Sequence, residues 1–157
     1  MAQKILGVTA TGKEVSLVFL EKITETEFVL IDEFNLNIQS GDRAAAYRNL
    51  AQRFSDYLAG KGIEIICIKG SAPSGSGATQ ALLEGAEVRG VVLATSAAAC
   101  SRVIQSTTSS LSKSFGNRKV DEYCKDSSFW DGLNLLKLKK GMREAAFFAI
   151  AQTKEED

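Results

Sequence analysis

Residues 6–19, LGVTATGKEVSLVF, consist of two apolar runs joined by a polar turn that contains a glycine. In the second run, Val15, Leu17 and Phe19 stand at every other position, which is typical of a β-strand with one buried face. A short turn between two such strands makes them antiparallel neighbours. The stretch therefore predicts a β-hairpin near the start of the domain.

The other apolar patterns predict an alternation of strands and helices. Strands are expected at 4–10, 14–21, 27–38, 63–70 and 101–107, and helices at 42–60, 77–99, 108–116 and 136–152. Asp32 and Glu33 interrupt the third strand, as at a β-bulge. Ser40 or Asp42 can cap the start of the first long helix, and Gly60 can cap its end. The segment 116–135 is polar and favours no single assignment.

The order of these elements predicts the fold class. Short turns give antiparallel strand neighbours, whereas helical crossovers give parallel ones. We therefore expect an α/β domain with a mixed five-stranded sheet. A single domain at 1–152, followed by an acidic tail at 153–157, accounts for the whole chain.

The composition excludes several classes of function. Nineteen basic and nineteen acidic residues cancel, so any surface that attracts nucleic acid or anionic lipid must be local. The chain has no histidine, which excludes a histidine-dependent triad and a zinc site with histidine ligands. Its three cysteines form no CxxC pair, and no run of about 18 apolar residues occurs. We therefore expect a cytoplasmic protein with no membrane partner.

Three strings occur in an order and at a spacing that resemble a known family. They are LGVTATG at 6–12, CIKGSAPSGSGATQALLEGAEVRGVVLA at 67–94 and REAAFFAIA at 143–151. They resemble the strings LGIDPG, AIEQ to ARGV, and the ALAIA helix of the RuvC branch of Holliday-junction resolvases. The strings ICIKGSAP and MREAAFFAIA are also similar to a small uncharacterised bacterial family of this fold. The resemblance implies a ribonuclease H-like, three-layer fold with helices on both faces of the sheet.

The positions that carry metal-binding carboxylates in the resembled family carry other residues here. The first aspartate position holds Thr9, and the glutamate position holds Lys69, or Gly70 if the alignment shifts by one. The terminal-helix aspartate positions hold Arg143 and Ala146. Two-metal cleavage needs several acidic oxygens, and cations at these positions would repel a metal ion. We therefore expect a degenerate nuclease with no catalytic residue, metal or cofactor.

A glycine- and serine-rich loop suggests a function for such a protein. The stretch GSAPSGSGATQ, 70–80, follows a strand and precedes a helix, where backbone N–H groups can point at an anion. The predicted cationic cleft would hold a phosphate-bearing ligand or nucleic-acid backbone; its candidate residues are Lys69, Ser71, Ser74, Ser76, Thr79 and Arg143. The alternative is a plain connector in which Ser76 or Thr79 caps the following helix.

Two further hypotheses stay open. A divergent nuclease could use relocated carboxylates, Glu84 and Glu144, although Glu84 and its neighbour Glu87 also fit a solvated helix surface. A protein-interaction module could use Trp130 and the terminal helix, which could also form a homodimer face. The basic residues at 113–119 and 137–143 could contact phosphates or remain solvated.

Overall fold

The computed structural model describes residues 2–70 and 77–154, whose strands form one mixed sheet. The strands are β1 (Gln3–Ala10), β2 (Glu14–Thr24), β3 (Glu27–Asn37), β4 (Ile65–Lys69) and β5 (Val103–Ser106). Their order across the sheet is β3-β2-β1-β4-β5. The β1–β2 and β2–β3 pairs are antiparallel, whereas β1–β4 and β4–β5 are parallel. The predicted α/β class and the mixed five-stranded sheet are confirmed.

Six α-helices complete the described part of the chain. They are α1 (Arg43–Leu58), α2 (Gln80–Ala99), α3 (Thr108–Leu111), α4 (Val120–Lys125), α5 (Ser127–Gly132) and α6 (Arg143–Gln152). The Asp42 side chain accepts a hydrogen bond from Ala45 N at 3.1 Å and begins α1. The Thr79 side chain accepts a hydrogen bond from Leu82 N at 3.2 Å and begins α2. The long helices therefore begin at residues suited to capping.

The sheet separates two hydrophobic cores. Leu6 and Val8 of β1 point into the first core, which contains α1 and α2. Ile5 of β1 and Cys67 of β4 point into the second core, which contains α4, α5 and α6. We call these sides the α1–α2 face and the α6 face. Because alternate residues of a strand point to opposite faces, both cores are built from the same central strands.

Helix α6 packs closely against the sheet at Gly7. A Cβ atom at Gly7 would lie 2.0 Å from the carbonyl oxygen of Ala145 in α6. Only a residue without a side chain leaves room for this contact. The first turn of α6 is thereby held close to β1, near the carboxyl end of the strand.

A β-bulge reverses the faces of β3 along its length. Leu20 of β2 pairs with Leu30, whereas its neighbour Phe19 pairs with Asp32, so Ile31 is the extra residue. Phe28 accordingly packs in the α6-face core and Leu36 in the α1–α2-face core. The predicted bulge is confirmed. The alternation of buried and exposed positions along β3 does not continue through the bulge, because the added residue moves every later side chain to the opposite face of the sheet.

The end of the chain differs from its predicted helix. Helix α6 begins at Arg143 and not at residue 136, after a single 3-10 turn at Lys140–Met142. Leu135 and Leu138 are buried in the α6-face core without forming a helix, and their three-residue spacing imitates a helical period. None of the helices in the described residues combines the length and apolarity that crossing a bilayer requires.

Candidate functional site

The carboxyl ends of the three parallel strands meet at one edge of the sheet. Val8 pairs with Ile68, so the next residues, Thr9 and Lys69, lie side by side on β1 and β4. Lys69 in turn pairs with Ser106 on β5. All three side chains continue the parity that points to the α6 face. The structure therefore brings together two of the positions that the family resemblance singled out.

Lys69 does not stand alone at this edge. Its ammonium donates to Oε1 of Glu144, in the first turn of α6, at 2.9 Å. The Lys69 side chain is 35% exposed and that of Glu144 is 41% exposed, so the pair is open to solvent. The Ser106 hydroxyl beside it is buried and makes no hydrogen bond within the described residues. The edge thus presents an ion pair together with polar groups.

A pocket of about 580 Å³ opens on one side of this ion pair. Its cationic lining residues are Lys13, Lys69 and Arg89, and Glu84 is the acidic one among the lining residues described. Burial lowers the pKa of the Arg89 guanidinium from its ordinary value. Lys13 belongs to the turn between β1 and β2. The excess of cations gives this pocket, which we call the Lys69 pocket, a local positive character in a chain of zero net charge.

A second pocket of about 400 Å³ lies on the other side of the pair. Ser109, Lys119, Asp121 and Glu144 are among its lining residues. Thr108 lines both pockets. The ion pair therefore stands between two openings at the same edge of the sheet, one that Lys69 lines and one that Glu144 lines.

Arg143 is not exposed at this edge. It is only 2% exposed, and its Nη1 donates to the backbone oxygen of Cys124 at 3.0 Å. Its guanidinium carbon lies 5.9 Å from the centre of the Trp130 ring. Helix α6 turns this side chain towards the neighbouring helices α4 and α5, whereas Glu144 turns towards Lys69. Arg143 is therefore a packing residue that joins helices rather than an exposed cation of the predicted cleft.

Several other predicted site residues are placed as follows. Ser71, Ser74 and Ser76 lie outside the described residues. The side chain of Thr79 accepts the capping hydrogen bond of α2, so the capping alternative holds for this residue. Ala146 is fully buried, and its methyl group belongs to the α6-face core.

The two candidate relocated acids have different partners. Glu84 lines the Lys69 pocket and accepts a hydrogen bond from Gln80, whereas Glu144 is paired with Lys69. Glu87 accepts the hydroxyl of Tyr47 at 2.7 Å. In the part of the chain that the structure describes, no three cysteine or carboxylate side chains form a group that could hold a metal ion. One carboxylate already bound to an ammonium does not fit a divalent-metal site, which needs several oxygen ligands.

The aromatic residues near the end of the chain are core residues. Trp130, Phe147 and Phe148 have no exposed surface, and the Trp130 indole donates to the Tyr123 carbonyl at 2.9 Å. Helix α5 therefore buries Trp130 rather than presenting it. These rings therefore expose no surface for the predicted protein-interaction or homodimer contacts, because they build the α6-face core.

The predicted basic segments are partly paired. Lys139 lies 3.8 Å from a carboxylate oxygen of Glu33, and Arg118 binds Asp126 at 3.0 Å. Lys119 lines the second pocket. The sequence patterns missed Lys13 and Ser106 as residues of the site. Their one available signal is position, because Lys13 lies in the turn after β1 and Ser106 is the last residue of β5.

The comparisons with known proteins rest on structure. No protein-family model matches the chain, and no curated protein sequence matches it. Thermus thermophilus RuvC in complex with a Holliday junction substrate superposes with a TM-score of 0.72 at 11% identity, covering 96% of this chain and 92% of that one. Another Thermus thermophilus RuvC structure gives 0.73 at 12% identity, with the same coverage of both chains.

A third similar structure comes from a eukaryote. The yeast mitochondrial Holliday junction resolvase Ydc2 superposes with a TM-score of 0.64 at 14% identity, covering 97% of this chain and 78% of that one. These matches extend over nearly all of the described strands and helices. The chain therefore has the ribonuclease H-like fold in its RuvC-like form.

Proposed function

We propose that this chain binds nucleic acid through backbone phosphates at the Lys69 pocket and does not cleave it. The observation that carries this proposal is the place of the Lys69 ammonium. It lies at the carboxyl end of β4, beside Thr9 on β1. The family resemblance assigns metal-binding carboxylates to the position of Thr9 and to that of Lys69, or of Gly70 if the alignment shifts by one. On the first alignment, a cation stands where the family carries a metal ligand.

Phosphate is the chemistry that fits this pocket. Lys13 and Lys69 line it together with Arg89, and each ammonium can act as a point charge towards a phosphate oxygen. The Lys69 ammonium already holds one anionic oxygen, that of Glu144, at 2.9 Å. Because both side chains are partly exposed, a phosphate group can compete with this carboxylate for Lys69.

The similar structures support nucleic acid as the source of the phosphate. One of them is RuvC bound to a Holliday junction substrate, and another is a Holliday junction resolvase. At 11% and 14% identity they support this chain's fold, and the ligand is our extension of that likeness. The local positive charge of the Lys69 pocket gives the extension a physical basis.

The charges at the edge support the proposed absence of cleavage. Two-metal hydrolysis requires ions about 4 Å apart that are held by several acidic oxygens. Here Glu144 is engaged by Lys69, and Glu84 lines the pocket among cations. A divalent ion beside an ammonium would be repelled rather than bound.

The proposal is tested by binding and cleavage assays on the same DNA. Fluorescence polarisation is measured with a labelled four-way junction and with a duplex of equal length over a range of salt concentrations. Lys69→Gln is expected to weaken binding about fivefold. It should also lower the slope of log affinity against log salt concentration by about one, which corresponds to one lost phosphate contact. The matched control is Lys4→Gln, since Lys4 is an exposed lysine near the opposite end of β1.

Cleavage is then assayed with Mg²⁺ and with Mn²⁺, and we expect intact DNA. If the protein cleaves DNA with divalent ions, and if Glu84→Gln or Glu144→Gln abolishes that cleavage, the proposal is overturned in favour of a nuclease with relocated acids. If the Lys69→Gln and Lys4→Gln variants bind DNA with equal affinity, the phosphate site lies elsewhere.

A further inference from the structure

A stacked pair of aromatic rings, one exposed and one half-buried, lies at the edge of the sheet, on the α1–α2 face. Phe34 of the edge strand β3 stacks on Tyr57 of α1, with ring centroids 5.9 Å apart and an angle of 17° between the planes. Phe34 is 42% exposed. The ammonium of Lys61 lies 4.2 Å from the centre of the Tyr57 ring. The three side chains form a layered surface, which we call the Phe34 platform.

The platform is held in place by its neighbours. The Tyr57 hydroxyl donates to the Asp32 carboxylate at 3.0 Å. Burial, together with this hydrogen bond, raises the pKa of Tyr57 far above its ordinary value, so the hydroxyl remains a donor. The bulge at Ile31 turns Phe34 onto the same face as Tyr57. The rings therefore have a fixed orientation, with part of the Phe34 ring open to solvent.

Cationic residues connect the platform to the Lys69 pocket. Arg53 of α1 donates to the backbone oxygen of Asn37, at the end of β3, at 2.9 Å. The next residue, Ile38, donates to the backbone oxygen of Lys13 at 2.8 Å. Lys13 itself lines the Lys69 pocket. A chain of direct contacts thus runs from Arg53, one helical turn before Tyr57 on α1, to the proposed phosphate site.

The distance between the two sites is short. Phe34 pairs with Leu17, Leu17 with Val8 and Val8 with Ile68, directly before Lys69. Three strand spacings separate the two backbones by about 14 Å across the sheet. The direct line passes over Leu17 and Val8, which are buried under α1 and α2. An oligonucleotide therefore reaches both sites by following the edge of the sheet past Asn37 and Lys13.

We infer that the Phe34 platform stacks a base of single-stranded nucleic acid whose backbone passes Arg53 and Lys13 towards the Lys69 pocket. Aromatic rings next to cations are the feature by which proteins hold single strands without reading their sequence. In a duplex the bases are already stacked on each other, so their faces are not available to Phe34. This inference rests on the proposed function and adds to it a preference for single-stranded segments.

Charge favours this ligand over an extended protein segment. Arg53, Lys61 and Lys13 border the route, and Asp32 is engaged by the Tyr57 hydroxyl. Phosphates complement these cations, whereas a planar base complements the ring of Phe34. A protein segment would pack against the rings but would leave most of the cations without an anionic partner.

The test compares a labelled oligothymidylate with a blunt duplex in fluorescence polarisation. Phe34→Ala is expected to weaken oligothymidylate binding about tenfold and to leave duplex binding within twofold. Phe34→Leu keeps an apolar cover over the sheet edge but removes the ring, and it should weaken binding as Phe34→Ala does. The matched control is Ile23→Ala, because Ile23 is another exposed apolar residue, 38% exposed, near the β2–β3 turn.

A second measurement avoids any effect of the variants on folding. In ¹H–¹⁵N spectra of the unchanged protein, oligothymidylate should shift the amide signals of Phe34, Asn37 and Tyr57 together with that of Lys69. Shifts confined to the residues around Lys69 would overturn the platform.

The outcomes separate this inference from the proposed function. If Lys69→Gln weakens oligothymidylate binding and the two Phe34 variants do not, the phosphate site stands and the platform is wrong. If the Phe34 variants weaken binding and Lys69→Gln does not, the platform stands and the phosphate site is wrong. If neither DNA binds, both are overturned, and the rings would serve a protein partner.

Discussion

Lys69 and Glu144 form an ion pair at 2.9 Å that joins the carboxyl end of β4 to the first turn of α6. The two residues are 75 positions apart in the chain. Lys69 is the last residue of β4, and Glu144 follows Arg143 on the terminal helix. The pair is partly exposed on both sides, so it can open to a ligand at little cost.

Glu144→Gln should strengthen phosphate binding, because it removes the carboxylate that competes for Lys69. A unit charge about 4 Å away in water contributes about 1 kcal/mol, so affinity for DNA should rise about fivefold. The DNA affinity of this variant should also fall more steeply as the salt concentration rises. Unfolding in urea should change by less than about 1 kcal/mol, as for other exposed pairs.

The control for this variant is Glu122→Gln, which breaks another exposed ion pair, that of Glu122 with Arg118. Its affinity for DNA should stay at the level of the unchanged protein. Weaker DNA binding by Glu144→Gln would contradict a competing role and would make Glu144 part of the binding surface.

The fold could be predicted because its signals are local. The alternation at Val15, Leu17 and Phe19 and the capping residues Asp42 and Thr79 depend only on neighbours in the chain, and the structure keeps all of them. The order of strands and helices then restricts the topology. The family resemblance agreed with this order, and the structural comparisons confirm the RuvC-like fold.

The candidate site was harder to predict because its contacts are distant in sequence. Nothing in the pattern REAAFFAIA indicates that Arg143 turns into the core while Glu144 turns to Lys69. Arg143 contacts Cys124 and Trp130. Both of these residues lie in the polar segment 116–135, whose sequence shows no clear helical or strand period. The charge of a side chain can be counted from the sequence, but its direction depends on the packing of α6 against α4 and α5.

Arg143→Ala should destabilise the fold rather than act on ligand binding directly. The change leaves the Cys124 carbonyl without its donor and opens a cavity beside Trp130, at an expected cost of about 2–4 kcal/mol. Arg143→Met fills the space without a charge and should cost less. Urea unfolding followed by the fluorescence of the single tryptophan measures both variants.

Arg48→Ala is the control for Arg143, since Arg48 is an exposed arginine on α1. It should change stability by less than about 0.5 kcal/mol. If Arg143→Ala were as stable as Arg48→Ala and lost DNA binding, the guanidinium would have to face the ligand rather than Cys124 and Trp130.

Two of the three cysteines should resist modification in the folded protein. Burial raises the pKa of Cys67 to about 12 and that of Cys124 to about 11. At pH 8 only about one Cys124 side chain in a thousand is then a thiolate, which is the reactive form. Alkylation by iodoacetamide, located by mass spectrometry, should be slow at both residues and should accelerate for Cys124 about tenfold per pH unit up to about pH 11.

Unfolding in concentrated urea should remove this protection, because both pKa values then return to the ordinary range of a thiol. Rapid alkylation of Cys124 at pH 8 in the folded protein would mean that α4 opens at this residue or that its thiol is not held in a buried environment.

Gly7→Ala and Gly90→Ala should have opposite effects on stability. At Gly7 the added methyl group would lie 2.0 Å from the Ala145 carbonyl. This neighbour is backbone, so α6 must move away from β1, and we expect a loss of about 3 kcal/mol in the free energy of unfolding. At Gly90, within α2, nothing lies within 4 Å of the added atom, and alanine should stabilise the helix by about 0.5–1 kcal/mol.

The same comparison tests whether the position of α6 determines the site. Because Glu144 is the residue before Ala145, the shift of α6 in Gly7→Ala should separate Glu144 from Lys69. DNA affinity should then rise towards that of Glu144→Gln in the fraction of molecules that remain folded, while Gly90→Ala binds as the unchanged protein does. Equal stability of the two glycine variants in urea would show that β1 and α6 are not in contact at Gly7, and the placement of Glu144 beside Lys69 would fail with it.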